Sequence, residues 1–116
     1  MGGMTRPTPR RLDPDELSRQ LEDLPDVRHE AGQGLVLSVR APSFAEAIRL
    51  VQLVADDAEQ LDHHPDIDIR WRTVRFALTT HSAGGVTQLD IELAHLVVRA
   101  AEQVGAEPVP PRSNDT

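Results

Sequence analysis

Three helix-start signals divide this chain and constrain its fold more than any other feature. Side chains with this three-residue spacing can hydrogen-bond reciprocally to backbone N–H groups that the first turn of a helix leaves unpaired. Each signal is a capping residue followed three positions later by a carboxylate: Asp13 with Glu16, Ser43 with Glu46, and Thr87 with Asp90. We therefore predict three helices, which begin just after residues 13, 43 and 87.

Between the predicted helices, apolar residues tend to alternate with polar ones, as they do in half-buried strands. Residues 27–40 predict a hairpin with its turn at residues 31–34, AGQG. In residues 67–78 the apolar side chains change from odd to even positions, which indicates a turn at about Arg72 and Thr73 and leaves Trp71 in the core. The element order predicts an α+β fold, α-β-β-α-β-β-α, with a four-stranded antiparallel sheet covered by helices.

The last two predicted helices carry apolar surfaces that are broader than one sheet can cover. The middle helix should end near Leu61 or Asp62, and its main stripe consists of Phe44, Ile48, Val51, Ala55, Ala58 and Leu61. Further apolar residues lie beyond the main stripes of these two helices: Leu50 and Leu53, then Ile91, Ala94 and Val98. Large exposed apolar patches are rare on monomers, so we predict a homodimer or a homotetramer.

The two ends of the chain differ in composition from the middle. Residues 1–11 and 106–116 are rich in Pro, Gly, Ser and charge, and they are predicted to be flexible segments around a single domain at 12–105. No run approaches the roughly 20 apolar residues of a membrane span, and no signal-peptide core is visible. A cytoplasmic protein without a membrane partner is therefore expected.

Composition excludes several classes of function. The net charge of −7 and the 3% of aromatic residues make a nucleic-acid partner unfavourable. All twelve basic residues are arginines, and cysteine and tyrosine are absent, so lysine and thiolate chemistry is excluded. Proton transfer, if there is any, has to involve His, Asp or Glu.

Three of the five histidines lie at predicted junctions, where functional residues are frequent. His63 and His64 follow the middle helix, and Pro65 favours an extended backbone at His64, so the two imidazoles should diverge. His81 follows the last strand of the sheet. The remaining two, His29 and His95, are expected to be ordinary surface or structural residues.

Simpler explanations exist for the carboxylates and for the histidine cluster. Asp90 could act only as a helix cap, and Glu59 could lie on a solvated helix face. Three histidines and a carboxylate also match a zinc or iron site by residue type. No HxH or HxxxH pair places two imidazoles on one side, so we predict that no metal is bound.

One long motif resembles a known family. Its elements are Glu59, the His63-His64-Pro65 triplet, Trp71, His81 and Asp90, with the loop TTHSAGGVTQLD at residues 79–90. In this order and spacing they resemble the pterin-4a-carbinolamine dehydratases, over about residues 13–104. Where the family often has a Gly-Trp pair after the first helix, this sequence has LPDV at residues 24–27.

The resemblance implies dehydration of 4a-hydroxytetrahydropterin to quinonoid dihydropterin, a step in tetrahydropterin recycling, with no cofactor. It implies that His63 and His81 form the acid–base pair and that Asp90 orients or polarises a histidine. The implied substrate-binding residues are His64, Glu59, Pro65 and Trp71. Members of this family also act as a dimerisation cofactor of a transcription factor and as an assembly factor, so a non-catalytic interaction module is the alternative.

Overall fold

The computed structural model describes residues 9–110 of the chain. The three helices are α1 (Pro14–Leu21), α2 (Phe44–Leu61) and α3 (Gln88–Gln103). The strands are β1 (Arg28–Glu30), β2 (Gly34–Arg40), β3 (Asp66–Arg70), β4 (Thr73–Leu78) and β5 (Glu107–Pro108). A single 3-10 turn, His81–Ala83, lies between β4 and α3. The predicted α+β order of helices and hairpins is confirmed.

The sheet is antiparallel throughout, with the strand order β1-β2-β4-β3. The short strand β5 pairs with the end of β2 that β1 leaves uncovered, so the sheet has a fifth strand. This strand lies beyond residue 105. Near the N-terminal end of the described residues, Arg11 forms an isolated β-bridge with Thr87. Ordered structure therefore extends past both predicted boundaries of the domain. Residues 1–8 and 111–116 of the predicted flexible segments lie outside the described residues.

The core lies between one face of the sheet and the helices. Phe76 of β4 is completely buried and is among the largest side chains in this core. Residues on the same face of β2 and β4 supply the rest of the sheet side of the core: Leu35, Leu37, Val39, Val74 and Leu78. Burial of each such side chain contributes about 1.5–3 kcal/mol to folding. Among residues 9–110, no helix is long and apolar enough to cross a membrane.

The predicted main stripe of α2 is only partly right: Ala58 is buried in the core and Val51 and Leu61 pack against it, but the first turns face outward. Phe44 and Ile48 are 52% and 45% exposed, whereas the residues that face the core are Ala47, Leu50, Val54 and Ala58. Both stripes have helical spacing, so periodicity could not distinguish the face that packs from the face that remains exposed. In α3, Ile91 and Ala94 are buried in the core, although they were expected to lie outside it. Val98 is partly buried against the same core.

Trp71 is not a core residue. Its side chain is 71% exposed, and its backbone has a φ of 57° in the left-handed region. Arg70 and Thr73 are the last pair of the hairpin, so the turn consists of Trp71 and Arg72, one residue earlier than predicted. The turn interrupts the alternation that would have directed Trp71 inward. The guanidinium of Arg72 lies 5.1 Å from the centroid of the indole.

Candidate active site

The end of α2 determines where the two adjacent histidines lie. The helix ends at Leu61, and Asp62 adopts a left-handed conformation with a φ of 52°. The N–H of His63 donates to the carbonyl of Ala58 at 3.0 Å, which satisfies one of the last helical carbonyls. Pro65 then disfavours any return to helix at the preceding residue. As predicted, the pair lies just past the helix.

His63 points inward and contacts Asp90. Its Nε2 lies 2.6 Å from Oδ1 of Asp90, the imidazole is 11% exposed, and the carboxylate is fully buried. The other oxygen, Oδ2, accepts from the N–H of Thr87 at 2.9 Å and completes the capping box of α3. Asp90 therefore caps α3 and contacts a histidine at the same time, with a different oxygen for each.

Two threonine hydroxyls complete the surroundings of this carboxylate. Oγ1 of Thr80 donates to Oδ2 of Asp90 at 2.8 Å, and it also lies 2.8 Å from Oγ1 of Thr87. Both threonines are buried. Within residues 9–110, every buried side-chain nitrogen or oxygen has a hydrogen-bond partner. The cluster around Asp90 is thus fully satisfied by protein groups.

His64 points outward and contacts Glu59. Its Nε2 lies 2.7 Å from Oε2 of Glu59, and the two side chains are 56% and 76% exposed. The predicted divergence of the two adjacent imidazoles is confirmed. An exposed pair of this kind adds little to stability, so its main physical effect is to orient the His64 ring.

His81 opens the 3-10 turn after β4 and is exposed. It lines a depression of about 370 Å³, together with His29, Gly34 and Thr79. This depression has room for a small heterocycle. Its lining includes neither His63 nor His64. The chain links His81 to the buried pair through Thr80, its immediate neighbour, which donates to Asp90.

The remaining predicted site residues lie at the two ends of β3. Pro65 directly precedes this strand, beside the histidine pair, whereas Trp71 directly follows it. Five residues of strand span about 16 Å, so Trp71 is not brought to the histidines within one chain. Among residues 9–110, no three His, Asp or Glu side chains are grouped so as to hold a metal ion.

Comparison with known proteins identifies the family. A family model described as pterin 4 alpha carbinolamine dehydratase matches residues 10–100. A provisionally named pterin-4-alpha-carbinolamine dehydratase of Nocardia farcinica is 51% identical over 86 residues, 74% of this chain and 90% of the relative. The chain belongs to the pterin-4a-carbinolamine dehydratase family. Another provisionally named pterin-4-alpha-carbinolamine dehydratase, of Mycolicibacterium smegmatis, is 49% identical over 88 residues, 76% of this chain and 93% of its own length.

A solved structure agrees with this family assignment. The crystal structure of a transcriptional coactivator/pterin dehydratase from Brucella melitensis has a TM-score of 0.76 and 32% sequence identity to this chain. The match covers 79% of this chain and 99% of the other. The fold described above is therefore that of a pterin dehydratase, and the resemblance inferred from the sequence is confirmed.

Part of the cluster around Asp90 in this family member was not visible from the sequence. Thr80 was assigned no role, and Thr87 was assigned only the role of a helix cap. A weak signal was present, because the two hydroxyls stand at the two ends of the loop that carries His81. The isolated β-bridge between Thr80 and Gly85, which closes that loop, could not be read from composition or spacing.

Proposed function

We propose that this protein dehydrates 4a-hydroxytetrahydropterin to quinonoid dihydropterin by histidine acid–base catalysis. The observation that carries the proposal is the buried His63–Asp90 pair, which is joined through Thr80 to the turn that bears His81. Family membership supports the dehydration reaction. The specific assignment of roles to histidines is our own inference.

The reaction needs one group that gives a proton and one that takes a proton. The 4a-hydroxyl has to leave as water, and a ring nitrogen has to lose its proton as the new carbon–nitrogen double bond forms. We assign the base to His63, since the carboxylate of Asp90 stabilises the imidazolium that results, as in other carboxylate–histidine pairs. We assign the acid to the exposed His81, because imidazole exchanges protons readily near neutral pH.

The groups around the histidine pair are proposed to hold the pterin. His64, oriented by Glu59, and the adjacent Pro65 follow His63 directly in the chain, and we assign substrate binding to them. Trp71 could reach a pterin there only from a second subunit, since the length of β3 separates it from the histidines of its own chain. Neither a metal nor a cofactor has a step in this proposal.

We also propose a homodimer or a homotetramer, with the exposed face of α2 at the interface. Phe44 and Ile48 lie one helical turn apart on the exposed face of α2, at 52% and 45% exposure. Exposed apolar pairs of this size are unusual unless a partner covers them. Of the residues predicted to extend the apolar surfaces of the helices, Leu50, Ile91 and Ala94 are buried in the core of the same chain, so they cannot contact a partner.

A stopped-flow assay with enzymatically generated 4a-hydroxytetrahydropterin tests the activity. The wild-type protein should accelerate water loss, and His63→Ala or His81→Ala should lower kcat by about 10²-fold or more. His95→Ala is the matched control, since His95 is exposed on α3 and does not line the depression beside His81. His29→Ala is not a clean control, because His29 lines the same depression as His81. Equal losses in the His63 and His95 variants would refute the assignment.

A non-catalytic interaction module remains the second candidate. One observation favours it: the Brucella melitensis relative is described as a transcriptional coactivator as well as a pterin dehydratase. The exposed face of α2 would be the interaction surface in that case. No acceleration of water loss by the folded wild-type protein would favour this candidate over the enzyme.

A further inference from the structure

We propose that Thr80 is a positioning residue which, together with Thr87, holds the carboxylate of Asp90 in the orientation that keeps the proton of a neutral His63 on Nε2. The kinetic consequence of this proposal rests on the dehydratase function proposed above. The tautomer itself does not depend on that function and can be measured directly.

The hydrogen atoms of the cluster can be assigned by counting donors. An ionised carboxylate only accepts, so the single hydroxyl hydrogen of Thr80 points to Oδ2 of Asp90. The 2.8 Å contact between the two hydroxyls must then use the hydrogen of Thr87, with Oγ1 of Thr80 as the acceptor. Oγ1 of Thr87 in turn accepts from the N–H of Leu89 at 3.3 Å. Every donor in this series of hydrogen bonds points in one direction, towards Asp90.

These hydrogen bonds fix the carboxylate of Asp90 so that Oδ1 faces His63 and remains to accept from it. Oδ2 already accepts from the Thr80 hydroxyl and from the N–H of Thr87, and Oδ1 faces Nε2 of His63 at 2.6 Å. Nε2 of a neutral His63 therefore carries the hydrogen, and Nδ1 keeps a free lone pair for the substrate. Asp90 and Thr87 are fully buried and Thr80 is 6% exposed, so bulk water does not compete for these groups.

Thr80 is also held firmly by its backbone. Its N–H donates to the carbonyl of Gly85 at 3.0 Å, and its carbonyl accepts from the N–H of Gly85 at 3.3 Å. Upstream, Gly34 has a φ of 89°, and a Cβ there would overlap the carbonyl oxygen of Leu78, so only glycine lets β2 approach β4 this closely. Thr80 thus fixes both the hydroxyl that faces Asp90 and the start of the turn that carries His81.

Three variants separate positioning from simple stability. Thr80→Val removes the hydroxyl, Thr80→Ser keeps it, and Thr73→Val makes the same chemical change at the other end of β4. Thr80→Val should lower kcat by about tenfold with KM within about twofold, since one hydrogen bond to a charged group is lost. Thr80→Ser should restore most of the rate, and Thr73→Val should leave it unchanged. A Thr80→Val protein that melts earlier but keeps the wild-type kcat would overturn the proposal.

The tautomer provides a readout that does not need activity. The ring ¹⁵N shifts of His63 in the wild-type protein, measured at a pH where this ring is neutral, should identify the Nε2–H form. Thr80→Val should release Oδ2, let the carboxylate turn away from Nε2 and so increase the share of the Nδ1–H form, whereas Thr80→Ser should not. A wild-type His63 that is mainly Nδ1–H would overturn the proposal, even if Thr80→Val does not fold. Absence of dehydratase activity with the expected ¹⁵N pattern would refute the proposed function and leave the positioning role supported.

Discussion

Replacing Asp90 by asparagine puts an NH₂ group where the three groups that face this side chain are all hydrogen-bond donors. The carboxylate accepts from His63, from the Thr80 hydroxyl and from the N–H of Thr87. A backbone N–H cannot become an acceptor, so the new amide has to keep its oxygen towards Thr87 and turn its nitrogen towards His63. A neutral His63 can then accept this hydrogen bond only by moving its own hydrogen from Nε2 to Nδ1.

The two consequences of Asp90→Asn have different sizes. The amide oxygen keeps the cap of α3 but loses the charge assistance, which we expect to cost about 1–2 kcal/mol of the free energy of unfolding. For a domain of this size, that loss lowers the melting temperature by about 4–16 °C. A base held in the wrong tautomer should lower kcat by about 10²- to 10⁴-fold. The effect on the rate should therefore exceed the effect on stability.

Stopped-flow kinetics and thermal melting of the same Asp90→Asn sample measure both effects. Glu16→Gln is the matched control, because Glu16 is the N3 carboxylate of the capping box of α1 and contacts no histidine. This control should melt earlier and keep the wild-type kcat. An Asp90→Asn protein that is destabilised but turns over normally would leave Asp90 as a helix cap and nothing more.

Four further outcomes are expected. His64→Ala should raise KM more than it lowers kcat, because its contact with Glu59 orients a binding group; a fall in kcat alone would contradict this role. Hydrogen bonds from Arg10 and from the Asp13 N–H hold the pKa of Glu16 at about 2 against a usual 4.5. This carboxylate therefore stabilises the fold above about pH 4.5 and ceases to do so as the pH falls towards 2. Melting curves of Glu16→Gln should accordingly depend less on pH across that interval. Sedimentation equilibrium should find a mass that is a multiple of 12.8 kDa, and Ile48→Glu should reduce it to one chain without unfolding. Exhaustive EDTA treatment should leave the activity intact, and activity that only added zinc restores would refute the acid–base mechanism.

Features that depend on neighbours in the sequence could be predicted well. All three helix starts follow from side chains that bond to backbone groups three residues away, and α1 and α3 have complete capping boxes. The divergence of His63 and His64 likewise follows from the helix end and from Pro65. In each case the interacting groups lie within a few residues of each other in the sequence.

Features that depend on packing could not be predicted from periodicity. Residues 44–61 contain two apolar stripes with helical spacing, and only the sheet determines that Leu50 is buried while Phe44 is exposed. A shift of one residue in a turn moved Trp71 from the expected core to the surface. The role of Thr80 requires residues 63, 80 and 90 to meet in space, and no local pattern in the sequence contains that information.

The two oxygens of Asp90 have different partners, and this affects how related sequences should be interpreted. Oδ2 serves the first turn of α3, and Oδ1 serves His63. A relative that had given up catalysis for a binding role would still need the carboxylate to begin this helix. An aspartate at this position in a relative is therefore a marker of the fold, whereas a histidine at the position of His63 is, under the proposed mechanism, the marker of chemistry.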